Sequence, residues 1–194
     1  MLTQAIAIVL DALASLVILA ALVRFWMQAF RAPARNPIAS FSMAMTDWIV
    51  RPLRRVIPGL LMLDWASLVA AWIFEFVLQV LLLAIRGAWA DNTAALSALL
   101  FLSFVELIRL SIYVFMGAVI LQAVLSWVNP YHPVMPFFAA LSNPFMKPVR
   151  RVIPPIGGLD ISPVFVFLFF QLLLMLPVAW LEQETRGMLV RALL

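Results

Sequence analysis

Four apolar stretches, each close to or above the roughly 20 residues that cross a bilayer core, constrain this chain more than any other feature. The first runs from about residue 5 to residue 30, interrupted by Asp11 and Arg24; the second covers 65–85 and contains Glu75 and Gln79. The third, 94–127, is too long for one simple span and carries Glu106 and Arg109; the fourth, 161–181, contains Gln171 and Pro177. With 66% of its 194 residues hydrophobic and 11% charged, the chain lies far from a soluble domain, which averages about 45–50% apolar and about 25% charged. A soluble fold of this length could not keep so much apolar surface from water, and disordered chains are poor in these residues. The first stretch does not read as a signal peptide, because residues 1–4 hold no Lys or Arg and its apolar run exceeds a signal core of about 7–15 residues. The expected fold is an all-α membrane protein with four transmembrane helices.

What is missing narrows the chemistry. The chain has no cysteine and one histidine, His132. That excludes disulfides, zinc–thiolate and iron–sulfur sites ligated by this chain, and any site needing two of its imidazoles. No GxSxG, Walker A or GxGxxG pattern occurs. No catalytic residue, metal or cofactor is assigned, no nucleic-acid partner is expected, and the chain is not expected to be an enzyme.

Basic residues set the expected orientation. Between spans one and two lie Arg31, Arg35, Arg51, Arg54 and Arg55; between spans three and four lie Lys147, Arg150 and Arg151. The short connection between spans two and three offers Arg86 against Asp91. Lys and Arg in short loops mark the cytoplasmic side, so both long loops are expected in the cytoplasm and both termini outside. Glu182, Glu184, Arg186 and Arg191 near the C-terminus argue for neither side.

The two long loops are copies of one another. A shift of 96 residues lays the string Arg54-Arg55-Val56-Ile57-Pro58 on Arg150-Arg151-Val152-Ile153-Pro154. The same ungapped shift pairs Pro37 with Pro133, Phe41 with Phe137, Ala44 with Ala140, Pro52 with Pro148, and Leu63-Asp64 with Leu159-Asp160. These are 11 identities in the 29 positions 36–64. The chain therefore reads as a tandem duplication of a span–loop–span unit, with repeats over 1–93 and 94–194. The shift also resolves the third stretch, whose span becomes about 101–126, with 94–100 as extra helix or an interfacial lead-in. Each unit has an even number of crossings, so the copies should be parallel, related by rotation about the membrane normal rather than inverted.

Within each loop the local chemistry is legible. Asn36-Pro37 suits a helix start, with Asn as cap and Pro at the first helical position. Ile38, Phe41, Met45, Trp48 and Ile49 then recur at helical spacing, which predicts an amphipathic helix lying along the interface or packed on the spans. In the second copy Pro133 should start the stretch, Val134, Phe137 and Leu141 repeat the stripe, and Pro144 should cut the helix short. The stretch 51–58 is bracketed by Pro52 and Pro58, as its copy is by Pro148 and Pro154, and should be at most a short turn before the next span. Asp64 and Asp160 fall where spans two and four begin, and a carboxylate there is favoured by the helix macrodipole.

These paired NP…RP-x-RR-x-IP…LD elements resemble the YggT family of small bacterial and plastid membrane proteins. The second copy continues with Gly157-Gly158-Leu159-Asp160-Ile161-Ser162-Pro163; the first lacks the double glycine and has Ala66-Ser67 in place of Ser-Pro. The resemblance covers both loops and most of the chain. It implies no enzymatic activity. Plastid members of such a family are implicated in maturing a membrane cytochrome by assisting haem attachment. Bacterial members are associated with osmotic-stress tolerance, and some are encoded near cell-division genes.

The candidate interaction residues are Arg51, Arg54, Arg55, Lys147, Arg150 and Arg151. They leave two readings open: positive-inside signalling with contacts to anionic lipid headgroups, or a docking surface whose guanidinium forks engage carboxylates of another membrane protein or a second copy. Glu75 lies about 15 Å into span two at 1.5 Å per residue, its repeat mate is Gln171, and Gln79 shares its face. This polar set could be a functional site, or span-to-span glue in which Glu75 is protonated or pairs with Arg24. His132, the mate of Asn36, fits a structural cap better than a haem ligand. Glu106 and Arg109 can pair along one helix face. Trp26, Trp48, Trp65, Trp89 and Trp127 read as an interfacial belt. The expected function is a non-enzymatic assembly or maturation factor for membrane complexes, acting through the basic loops. The alternative is a channel or transport component in osmotic or ion homeostasis, with Glu75, Gln79 and Gln171 lining a path.

Overall fold

The computed structural model describes residues 1–59, 63–90, 92–153 and 160–194, and every regular element among them is a helix. Four helical columns are long and apolar enough to cross a membrane: α1 (Leu2–Ala29), α3 (Trp65–Ile85), α4 (Thr93–Val128), and the run Ser162–Leu193. That last column is α6 (Ser162–Leu173), a π turn (Leu174–Val178) and α7 (Ala179–Leu193). Pro177 lies in the π turn, where a widened turn accommodates a residue that cannot donate to the helical ladder. The two long loops hold α2 (Pro37–Val56) and α5 (Met135–Val152).

Helix starts follow the sequence closely. Asn36 Oδ1 accepts the Ala39 N–H at 2.9 Å, and Asn92 Oδ1 accepts the Ala95 N–H at 2.7 Å. The second loop departs from this: Val134 precedes α5 with no side-chain cap, and His132, expected as the cap, faces the Val134 N–H with its Nδ1 at 3.4 Å, one residue short of the helix. The residues 94–100 are continuous with α4, which is 36 residues long. At the end of α3 the chain turns through Gly87 at φ 80°, a left-handed conformation that glycine adopts without strain.

Both loop helices run through their prolines, which corrects two expectations. The stretch 51–58 is no short turn, because α2 continues past Pro52 to Val56. Nor does Pro144 end its helix: α5 begins at Met135, two residues after Pro133, and contains both Pro144 and Pro148. An interior proline costs about 3 kcal/mol or more by removing a hydrogen bond. Here all three prolines lie on exposed faces, and opposite them α2 and α5 bury Val50 and Met146 against the spans. Tertiary packing carries each helix across its weak turn.

The apolar stripes of the two loop helices are used differently. In α2 the buried residues are Ala39, Ser42, Thr46 and Val50, while Phe41 and Trp48 are 57% and 63% exposed. In α5 Phe137, Leu141, Ser142 and Met146 are buried. The first stripe is thus divided, with Phe41 and Trp48 outward and Ile38 and Ile49 against buried clusters, while Phe137 and Leu141 of the second are buried.

Two cores result. Ile18, Ala21 and Leu22 of α1 meet Ala71 and Leu78 of α3 and Leu107 of α4 in the first half. Val119 and Phe115 of α4, Met146 of α5 and Val166 and Phe170 of α6 build the second. Met27, Ala39, Ala118, Phe137 and Leu141 join the halves near the loop helices. Trp26 packs on all three clusters, and its Nε1 donates to Ser111 Oγ at 3.0 Å. It is therefore a core residue and not part of a belt, whereas Trp48, Trp89 and Trp127 are exposed. Glu106 and Arg109 also gain partners, because α7 brings Glu182 and Arg186 alongside them. Arg109 Nη1 lies 3.2 Å from Glu106, Arg186 Nη2 lies 2.8 Å from Glu182, and Arg109 also pairs with Glu182.

Candidate functional site

The duplicated strings build the same tie in both halves. Helices α2 and α5 end at matching residues, with the Ile57 N–H bonded to the Leu53 carbonyl and the Ile153 N–H to the Val149 carbonyl, both at 2.8 Å. Each exit leaves the first arginine of the pair beside the aspartate that precedes the next span. Arg54 Nε then donates to Asp64 Oδ1 at 3.2 Å while its Nη2 meets Oδ2. Arg150 Nε donates to Asp160 Oδ2 at 2.8 Å, and its Nη2 lies 2.7 Å from the same oxygen. Each aspartate also takes a backbone N–H of the helix it precedes, from Ser67 at 3.4 Å and from Ser162 at 3.0 Å. A guanidinium on one side and a helix N-terminus on the other give the carboxylate two stabilising neighbours.

A second repeated contact lies deeper. Thr46 donates to the Ser42 carbonyl at 2.7 Å, and Ser142 bonds the Phe138 carbonyl, also at 2.7 Å. Each of these hydroxyls also meets a polar side chain of the preceding span. Thr46 Oγ1 accepts from Arg24 Nη1 at 3.1 Å, and Ser142 Oγ bonds the amide of Gln122. Arg24 is only 4% exposed. It donates to Asp47 Oδ1 at 2.7 Å and lies 3.4 Å from Asp64 Oδ2, so one guanidinium joins α1, α2 and the start of α3. Glu75 is not its partner, which corrects that expectation. Glu75 is buried and accepts from Gln79 at 2.9 Å. Gln171 sits on the exposed face of α6, and α3 and α6 do not pack on each other among the described residues.

The electrostatics follow from these partners. Hydrogen bonding to Arg24 is the main reason the Asp47 carboxyl lies below its ordinary range. Burial pushes the Asp64 carboxyl up, but bonds from Arg54 and Ser67 and the charges of Arg54 and Arg24 outweigh it and hold the group low. For Asp160 burial again opposes, and Ser162 with Arg150 wins.

The six basic candidates therefore divide. Arg54 and Arg150 are turned inward onto aspartates, and Arg51 pairs with Asp47 at 2.6 Å while remaining 76% exposed. Arg55, Lys147 and Arg151 are exposed, with no carboxylate in ion-pair range among the described residues. Pro52, Pro58 and Pro148 are exposed around these arginines, and Pro154 lies outside the described residues. Sequence reasoning missed Asp47, Thr46, Ser142, Gln122 and Ser67 as members of the site. A signal existed, since the 96-residue shift sets Thr46 on Ser142 and Asp47 on Asn143, polar pairs at matching positions of the two amphipathic helices.

Comparison with known proteins agrees with the duplication. The family model described as CCB3/YggT matches twice, over residues 3–85 and 101–181. An uncharacterized protein of Pseudomonas aeruginosa is 37% identical over 170 residues, covering 87% of this chain and 85% of its own length. The uncharacterized protein YggT of Escherichia coli K12 is 30% identical over 173 residues, covering 89% and 88%. An uncharacterized protein ycf19 of Guillardia theta is 31% identical over 76 residues, covering 38% of this chain and 79% of its own length. No solved structure matches the chain. Two family-model matches that coincide with two copies of one arginine–aspartate tie leave a single assignment: the chain is a multi-pass membrane protein of the CCB3/YggT family.

Proposed function

We propose that this protein is a non-enzymatic assembly or maturation factor for membrane protein complexes, which it engages through its duplicated basic loops. In this reading the four columns cross the bacterial cytoplasmic membrane as two parallel span–loop–span repeats. α2 and α5 lie at the cytoplasmic interface and the arginines face the cytoplasm. What supports the reading is the division of labour within RRVIP. The first arginine of each pair is neutralised by its own chain, while Arg55 and Arg151 point outward in matching frames. Positive-inside signalling requires charge alone, whereas a pair of guanidinium forks held in the same frame suits recognition of carboxylates on a partner. Transport along Glu75, Gln79 and Gln171 draws less support, because the first two bond each other and the third faces outward.

The test is crosslinking followed by affinity purification of the full-length protein from native membranes, comparing wild type with Arg55→Lys/Arg151→Lys. Lysine keeps charge and topology but not the fork. The expected result is a stoichiometric partner with the wild type that is lost in the variant while membrane insertion is unchanged. Equal capture by the variant, or no partner with the wild type, overturns the proposal.

A further inference from the structure

The two halves leave a trough between them. α1, α4 and Phe145 of α5 line it together with α3 on one side and α6 on the other, and the open volume is about 740 Å³. Its lining is rich in aromatic rings, among them Trp26, Trp65, Trp72, Phe115, Phe169 and Phe170. The indole N–H groups are already used, Trp26 on Ser111 at 3.0 Å and Trp72 on Ser103 at 2.9 Å. An apolar trough within membrane-spanning helices excludes water, so its occupant must be hydrocarbon or another helix.

The lining argues for hydrocarbon. Close packing of membrane helices relies on small residues that let backbones approach, and Ser111 is the one small residue lining this trough, its hydroxyl already taken by Trp26. Charge argues for a particular lipid class. The wall α3 begins at Trp65, beside Asp64, and the wall α6 begins two residues after Asp160. Both aspartates are cancelled by Arg54 and Arg150. The positive charges left over at this end include Arg55, Lys147 and Arg151, which flank the starts of the two walls and are exposed without a carboxylate among the described residues, and Arg35 adds to them from the loop before α2. An anionic phosphate complements them, and a zwitterionic headgroup brings an ammonium as well.

We propose that the trough is a binding site for one anionic phospholipid, its acyl chain lying between α3 and α6 and its phosphate at the end marked by Arg55, Lys147 and Arg151. The proposal does not rest on the assembly role, although both draw on Arg55 and Arg151, so a lipid phosphate and a client carboxylate would compete for these two side chains.

The test uses the full-length protein in phosphatidylcholine vesicles containing either brominated-chain phosphatidylglycerol or brominated-chain phosphatidylcholine. Trp48, Trp89, Trp127 and Trp180 are replaced by Phe, so that emission comes from the trough residues Trp26, Trp65 and Trp72. The expected result is quenching by the phosphatidylglycerol at several-fold lower mole fraction than by the phosphatidylcholine. Arg55→Gln/Lys147→Gln/Arg151→Gln should make the two lipids equal without changing the thermal melt. Equal quenching by both lipids before that substitution overturns the proposal, as does a preference that survives it. Absence of quenching by either overturns it too, and points to a protein helix or second copy covering the trough. Native mass spectrometry of the unsubstituted protein with the same two lipids makes the comparison without any tryptophan replacement. Retention of one phosphatidylglycerol supports the site, and equal retention of both lipids overturns it.

Discussion

The first half ties its loop helix to the membrane core with a buried charge, and the second half does the same with neutral groups. Arg24 reaches Thr46, Asp47 and Asp64 from inside α1. Ninety-six residues on stand Ile120, 45% exposed, and Asn143 in place of Asp47. The work of the buried arginine falls instead to Gln122, bonded to Ser142. The Asp64 side chain is 3% exposed against 27% for Asp160, so the shared tie sits in a drier setting in the first half. The contrast shows that the duplicated geometry tolerates two chemistries. The Arg–Asp tie and the hydroxyl-to-carbonyl bond are kept, while the link to the preceding span has diverged. A buried charge that loses its partner is far more costly than an amide that loses one hydrogen bond.

The sharpest way to break this comparison is to give the first half the second half's residue. Arg24→Ile should cost about 3 kcal/mol, because it removes the buried guanidinium shared by Asp47 and Asp64 and leaves them only the more exposed Arg51 and Arg54. Denaturant unfolding in detergent micelles measures it, and a loss below about 1 kcal/mol would mean that the network does not hold α2. Adding Asp47→Asn completes the exchange and should recover about 1 kcal/mol, since removing both partners costs less than orphaning one. Next in size, Asp64→Asn should cost about 2 kcal/mol and Asp160→Asn about 1 kcal/mol, the latter discounted for its exposure. Equal losses would erase the distinction between the halves.

Acid should separate the halves as well. The folded Asp47, Asp64 and Asp160 carboxyls lie below their ordinary value of 3.8. Their contribution is therefore fully present above that value and is lost as pH falls through the lower folded values. Thermal stability should be level from neutral pH down to the ordinary carboxylate range and fall below it. Asp64→Asn should flatten that acid limb more than Asp160→Asn does. The smallest effect is expected at the outward arginines, where Arg55→Gln and Arg151→Gln should each change stability by less than about 0.5 kcal/mol. Arg54→Gln should cost about 1 kcal/mol by breaking the tie to the buried Asp64, and Arg150→Gln less than that, because Asp160 is more exposed.

Local signals carried much of the fold. The spans, the Asn36 cap, the aspartates at the starts of α3 and α6 and the duplication itself all follow from spacing and composition. Each depends on interactions within a turn or two, or on direct comparison of the chain with itself. The prolines misled for an instructive reason. Pro52, Pro144 and Pro148 are poor helix residues in isolation, and only packing of the opposite face against the spans keeps α2 and α5 continuous. Arg24 shows the same limit from the other side. Its position within a span marks it as needing a partner, but Glu75 and Asp47 are equally acidic in the sequence, and the choice belongs to the way α2 crosses α1.

The sequence by itself determined that this chain is a helical membrane protein built twice from one unit. Hydrophobic length and self-similarity are properties of the chain before it folds. Only the tertiary structure decided which arginine of each pair turns inward, which face of α2 meets the spans, and that a trough opens between α3 and α6. Those outcomes depend on the angles at which separate helices pack. Such angles are set by side-chain contacts between residues far apart in the chain, which no local pattern encodes.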